Sequence, residues 1–114
     1  MVVSMQIAPP DFDRMFGALA DATRRDIVRR TLDAHFSVSS LARGYPMSFA
    51  AVQKHVAVLE RAGLVTKQRR GREHLVAANP AALRAAHDAL ERLELIWRER
   101  VARMDDLITA DPDL

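Results

Sequence analysis

Lys67, Arg69, Arg70 and Arg72 put four cations into six residues around Gly71. Such crowding costs stability by mutual repulsion unless an anion is close in the working state. A cationic tip of this kind can follow a phosphate backbone or insert arginine into a narrow minor groove. A second group lies just upstream at Ser48, Phe49, Ala50, Gln53, Lys54 and His55. Glutamine can pair bidentately with adenine, lysine with guanine or phosphate, and an exposed aromatic can touch a thymine methyl. If a helix starts at Ser48, its free amides and dipole also attract phosphate. The bland alternatives are a solvated helix face, a solvated tip and a Phe49 folded back onto the core.

The distribution of charge favours the nucleic-acid reading. The 114 residues carry a formal charge of only +2, and the high sequence pI of about 9.7 reflects arginine, which stays protonated. Residues 1–36 are neutral, with five Arg against five Asp. Residues 37–77 hold seven cations against Glu60 and Glu73, a net of +5. Residues 78–114 hold five Arg against eight acids, a net of −3. A basic middle in a neutral-to-acidic frame is what a nucleic-acid contact surface requires. Zero cysteines exclude a disulfide framework, a thiolate zinc site and a cysteine nucleophile. No stretch approaches the roughly 20 apolar residues of a membrane span, and Met1–Pro10 has no signal-peptide core, so a cytoplasmic protein without membrane contact is expected.

The elements that must position these groups follow from periodicity. After Pro9-Pro10, Asp11 caps a helix with Phe12, Met15, Phe16 and Leu19 at helical spacing. Asp21 caps a second, from Ala22 to about Leu32, with Leu19, Ile27, Val28 and Leu32 available to the core. Ser37 begins a short third, stopped by Gly44 and Pro46. Ser48 caps a fourth, whose Val52, Val56 and Leu59 turn inward, leaving Ala50, Gln53, Lys54 and Ala57 outward with Ser48, Phe49 and His55 at the flanks. Gly63 ends it. The runs 64–68 and 74–77 are β-leaning and joined by a turn over 69–73. Asn79-Pro80 reads as cap and first residue of a long helix to about Ile108. The order predicts a single mainly α domain with a small β-hairpin, a winged helix-turn-helix, with a core over residues 12–77 and a C-terminal dimerisation helix over 80–108. The ends, residues 1–9 and 111–114, are expected to fray.

On that last helix Leu83, Leu90, Leu93, Trp97, Val101, Met104 and Ile108 form one stripe. At 1.5 Å per residue the helix is about 40 Å long, more than this domain needs to cover its own core. A second copy is the expected cover, with Phe12, Met15, Phe16, Leu90, Leu93, Trp97, Val101 and Met104 at a two-fold interface. The alternative is a purely intramolecular cap. His35 and His74 stand alone, and His87 with Glu91 supplies two ligands, so no metal or cofactor is expected. No Ser/His/acid grouping, phosphate loop or carboxylate pair appears, so an enzyme is not expected.

Residues 16–25, from Phe16 through Leu19-Ala20-Asp21 to Arg24-Arg25, resemble the "aLadptRr" opening of the ArsR family of winged-helix repressors. Residues 38–42 and 47–65, with Arg70-Gly71-Arg72-Glu73 as wing, are similar to that family's recognition segment. The resemblance implies a cytoplasmic homodimeric repressor on a palindromic operator of double-stranded DNA. It carries over Ser48, Ala50, Gln53, Lys54 and His55 as DNA-facing and Arg69, Arg70 and Arg72 as wing contacts. Gln53 stands where the family usually has a small serine and Phe49 where it has a polar residue, so no operator preference carries over. Lacking the family's cysteines near the third helix and its Asp/His groups on the last, the chain resembles the metal-independent branch, with its effector unnamed. Two rivals are compatible with the same residues, a winged-helix protein-interaction module without DNA binding and a ligand- or metal-sensing repressor with a site between the C-terminal helices.

Overall fold

The computed structural model describes residues 11–109, so the ends expected to fray lie outside the described residues. Eight elements follow in order: α1 (Phe12–Leu19), α2 (Ala22–Asp33), β1 (Phe36–Ser37), α3 (Val38–Arg43), α4 (Phe49–Arg61), β2 (Val65–Arg70), β3 (Glu73–Ala78) and α5 (Pro80–Thr109). Four helices start where a short polar side chain accepts a free first-turn amide. Asp11 and Asp21 accept from Arg14 and Arg24 at 3.0 Å, and Ser37 and Ser48 from Ser40 and Ala51 at 3.1 Å. Each such cap is worth about 1 kcal/mol.

The core forms where α1, α2, α3, α4 and the sheet meet, with Met15, Ile27, Leu41, Val52, Val56, Leu59, Leu64, Val65 and Val76 fully enclosed. Met15, expected at a two-fold interface, is 1% exposed and belongs to its own protomer's core. On a helix that buries Met15 and Ala18, Phe12 and Phe16 are the large apolar side chains left exposed. Leu32 also departs from expectation, being half exposed. The buried stripe of α2 is Ile27, Val28 and Thr31, whose hydroxyl is satisfied by the Ile27 and Val28 carbonyls at 2.8 and 3.1 Å, and Leu32 lies one step past it.

The hairpin extends further than the sequence pattern suggests. β2 and β3 pair from Val65↔Ala78 to Arg70↔Glu73, leaving Gly71 and Arg72 as the turn. Gly71 takes φ +64°, the conformation a two-residue hairpin turn needs. A third strand, β1, joins β3 through Phe36↔Val76 and Ser37↔Leu75, giving an antiparallel sheet ordered β1-β3-β2. Asn79 is not simply a cap, for its side-chain amide donates to Gly63 O at 2.9 Å and ties the start of α5 to the end of α4. The assembly is a mainly helical winged helix-turn-helix with a long C-terminal helix.

One polar cluster braces the turn between α3 and α4. The Tyr45 hydroxyl donates to Asp26 Oδ2 at 2.6 Å, and the Arg30 guanidinium lies 4.9 Å from the Phe36 ring centre and 5.3 Å from that of Tyr45. A Cβ at Gly44 would come within 2.7 Å of Arg30 Nη1, so glycine lets the arginine stack there. Asp26 sits below its ordinary value of 3.8 because Tyr45 first, and Arg29 second, donate to its carboxylate. A lowered folded value means the stabilisation is complete above 3.8 and is lost as pH falls through that lowered value. Tyr45→Phe should therefore cost about 1 kcal/mol in urea unfolding at pH 7. Its deficit against the wild type should shrink in a titration below pH 3.8, whereas a constant deficit would contradict the assignment.

Candidate nucleic-acid interface

Helix α4 is anchored by one face and free on the other. Val52, Val56 and Leu59 are 0% exposed, each contributing about 1.5–3 kcal/mol by burial. Its C-terminus closes as a Schellman motif. Gly63 takes φ +76°, its amide donates to Glu60 O and that of Leu64 to Leu59 O, both at 3.0 Å. Leu59 and Leu64 are both enclosed, so the chain enters β2 from a fixed point. The helix can neither roll nor lengthen without exposing these side chains.

Ser48, Phe49, Ala50, Gln53 and Lys54 are all exposed on the N-terminal half of α4, and Phe49 at 47% exposure is not folded onto the core. No ion pair or side-chain hydrogen bond holds Gln53 or Lys54 among the described residues, which leaves their polar groups available to an incoming acceptor or donor. His55 differs from its neighbours. It is half-buried, with Nδ1 lying 3.2 Å from Arg24 Nη1 of α2. Arg24, which in the sequence stands out only as part of a motif, also donates from Nε to Ala18 O at 2.7 Å and from Nη2 to Gly17 O at 3.4 Å. Asp21, held below its ordinary value chiefly by the Arg24 amide, faces the same pair. The i, i+3 link from a cap to an arginine is visible in the sequence, but its reach across 31 positions to His55 is not.

The wing carries its cations beyond the core. Arg69, Arg70 and Arg72 are exposed and Lys67 is half-buried beside Val76, its register partner. Strand alternation sends Arg69 and Arg70 to opposite faces of the hairpin, and Arg69 Nε donates to Gly71 O at 3.2 Å. The tip can therefore meet phosphates on either side. No acid is within ion-pair distance of these four cations among the described residues.

Helix α5 presents a different surface. Of its 30 residues only Ala86 is buried. Beyond it Leu90, Leu93, Trp97, Val101, Met104 and Ile108 stay at least 42% exposed, at spacings of 3, 4, 4, 3 and 4. That is an eleven-residue period, which keeps an apolar seam on one side of a nearly straight helix. Trp97, Val101, Met104 and Ile108 line an open hollow of about 550 Å³. Phe12 and Phe16 on α1 stack with ring centres 6.3 Å apart and are 37% and 36% exposed. On the polar side of α5, Asp88 joins His87 and Glu91 in one group with ligand atoms within 4.8 Å, a third member beyond the pair that the spacing suggests, and all three are exposed.

Comparison with known proteins agrees with this architecture. Residues 19–68 match a helix-turn-helix domain family. The chain is 36% identical over 101 residues to the HTH-type transcriptional regulator Rv2034 of Mycobacterium tuberculosis, covering 89% of this chain and 92% of that protein. The solved ArsR-like transcriptional regulator from Rhodococcus sp. RHA1 is 35% identical with a TM-score of 0.76, over 84% of this chain and 91% of that one. The homodimeric winged helix-turn-helix DNA-binding domain Mb0332 from Mycobacterium bovis shares the fold, with a TM-score of 0.61 at 18% identity over 81% of this chain and 91% of that one. With the free face of α4, the cationic wing and these relatives together, the chain belongs to the ArsR family of winged helix-turn-helix transcriptional regulators, which are DNA-binding proteins and not enzymes.

Proposed function

We propose that the protein is a homodimeric repressor of the cytoplasm that binds a palindromic operator, with residues 12–77 as the DNA-binding core and residues 80–108 pairing two subunits. The observation that carries the dimer is the exposure of every residue of α5 from Glu91 to Thr109, with the large apolar side chains of Leu93, Trp97, Val101, Met104 and Ile108 in one seam that Leu90 begins. An apolar surface of that kind marks an association site. Phe12 and Phe16 of α1 would add to it in the pair, and a two-fold pairing would set two α4 helices for successive major grooves. No helix among the described residues is long and apolar enough to cross a membrane. The homodimeric relative from Mycobacterium bovis supports the arrangement.

On the DNA, Gln53, Lys54, Ala50 and Phe49 would face base edges, Ser48 would bring the first-turn amides to a phosphate, and Lys67, Arg69, Arg70 and Arg72 would follow the backbone. Reading the regulator as metal-independent is supported by the cysteine-free sequence, which leaves no thiolate to ligate a metal near α3.

Two measurements test this reading. Replacing Arg69, Arg70 and Arg72 together by alanine should weaken binding to every duplex about tenfold or more and lower the slope of log affinity against log salt by about 0.9 for each phosphate no longer neutralised. Unchanged affinity and slope would remove the wing from the interface. In sedimentation at micromolar concentration the wild type should run as a dimer and Trp97→Glu as a folded monomer. A monomeric wild type would overturn the two-fold assembly.

A further inference from the structure

Arg24 is spent entirely on donation. Its Nε and Nη2 hold the Ala18 and Gly17 carbonyls at the end of α1, which aims Nη1 at His55 Nδ1 on the recognition helix, 3.2 Å away. A guanidinium has no lone pair to offer, so the nitrogen facing it must be the acceptor. A neutral imidazole that accepts through Nδ1 carries its proton on Nε2, the nitrogen on the far side of the ring from Arg24. An imidazolium in the same place would set donor against donor. Asp21 is the acid facing this pair, and its carboxylate is engaged by the Arg24 amide at 3.0 Å.

His55 sits on the flank of α4, not at the centre of the outward face that Ala50 and Lys54 occupy. The acceptor available at the wall of a groove is a phosphate oxygen. We propose that Arg24 is a positioning residue that locks His55 as its neutral Nε2–H tautomer, so that the recognition helix offers one fixed, uncharged donor to a phosphate. The assignment rests on α4 being the DNA-facing helix. It separates His55 from the cationic phosphate contacts of the protein, because an uncharged donor displaces no counterion.

The test combines a spectroscopic and a binding measurement at pH 8. Nitrogen-15 spectra of the free protein should show His55 as the Nε2–H tautomer in the wild type and as a mixture in Arg24→Met. Against a mixed-sequence 30-base-pair duplex, His55→Phe should bind about tenfold more weakly with an unchanged salt slope. Arg24→Met should weaken binding in the wild-type background and add nothing to His55→Phe. Thermal unfolding checks each variant, and Arg24→Lys, which keeps the stem and charge without the fork, substitutes if the methionine variant does not fold. The proposal is overturned by a wild-type Nδ1–H tautomer or imidazolium, by full affinity in His55→Phe, or by an equal effect of Arg24→Met with and without His55. A salt slope lowered in Arg24→Met would overturn it too, since Arg24 would then touch phosphate itself. A wild type that binds no duplex would instead refute the DNA-facing reading of α4, while the tautomer readout, made without DNA, stands separately.

Discussion

The burial of Val52, Val56 and Leu59 is the constraint on which the rest of the molecule depends. A helix of 13 residues with three positions at 0% exposure has one permitted rotation about its axis. That rotation alone decides that Gln53 and Lys54 face outward and that His55 meets Arg24. The left-handed Gly63 then reverses the chain within two residues and returns Leu64 to the same core, so the wing leaves from the foot of the helix that it flanks. Removing the stripe would cost several kcal/mol and would also scramble the orientation of every polar group on the opposite face.

Two surfaces with opposite physical character result. The α4–wing surface is polar, cationic and unpaired, and suits an anionic partner that can be released by salt. The α5 seam is apolar and set in the acidic third of the chain, so it suits a partner that removes it from water. Keeping the two apart on separate elements would let one protomer of the proposed dimer engage a second copy and a duplex at once. α1 stands between them, presenting Phe12 and Phe16 outward while the Gly17 and Ala18 carbonyls hold Arg24 against α4.

Local chemistry is legible in the sequence and distant geometry is not. The caps at Asp11, Asp21, Ser37 and Ser48 show because each is a short polar side chain three residues before the amide it satisfies. The inward stripe of α4 and the glycine at the wing turn show for the same reason. β1 does not, because two residues make no alternating run and its pairing partner lies some 40 positions away. Met15 and Phe16 are neighbours of one type in sequence, and only the packing of α1 on α2 and α4 sends the first inward and the second outward. Among the candidate site residues, the exposed ones on α4 and the wing can be picked by residue type, whereas the partner that orients His55 cannot.

The central claim is that two protomers present two α4 helices to one duplex across a two-fold axis. Hydroxyl-radical footprinting on a duplex spanning the DNA upstream of the protein's own coding sequence, with the protein titrated to saturation, tests it most directly. The expected result is two protected patches of matching sequence in inverted orientation, about one helical turn or roughly 34 Å apart, saturating at two chains per site. A single unsymmetrical patch saturating at one chain, or no protection at physiological salt on that DNA or on any duplex selected from a random pool, would contradict it.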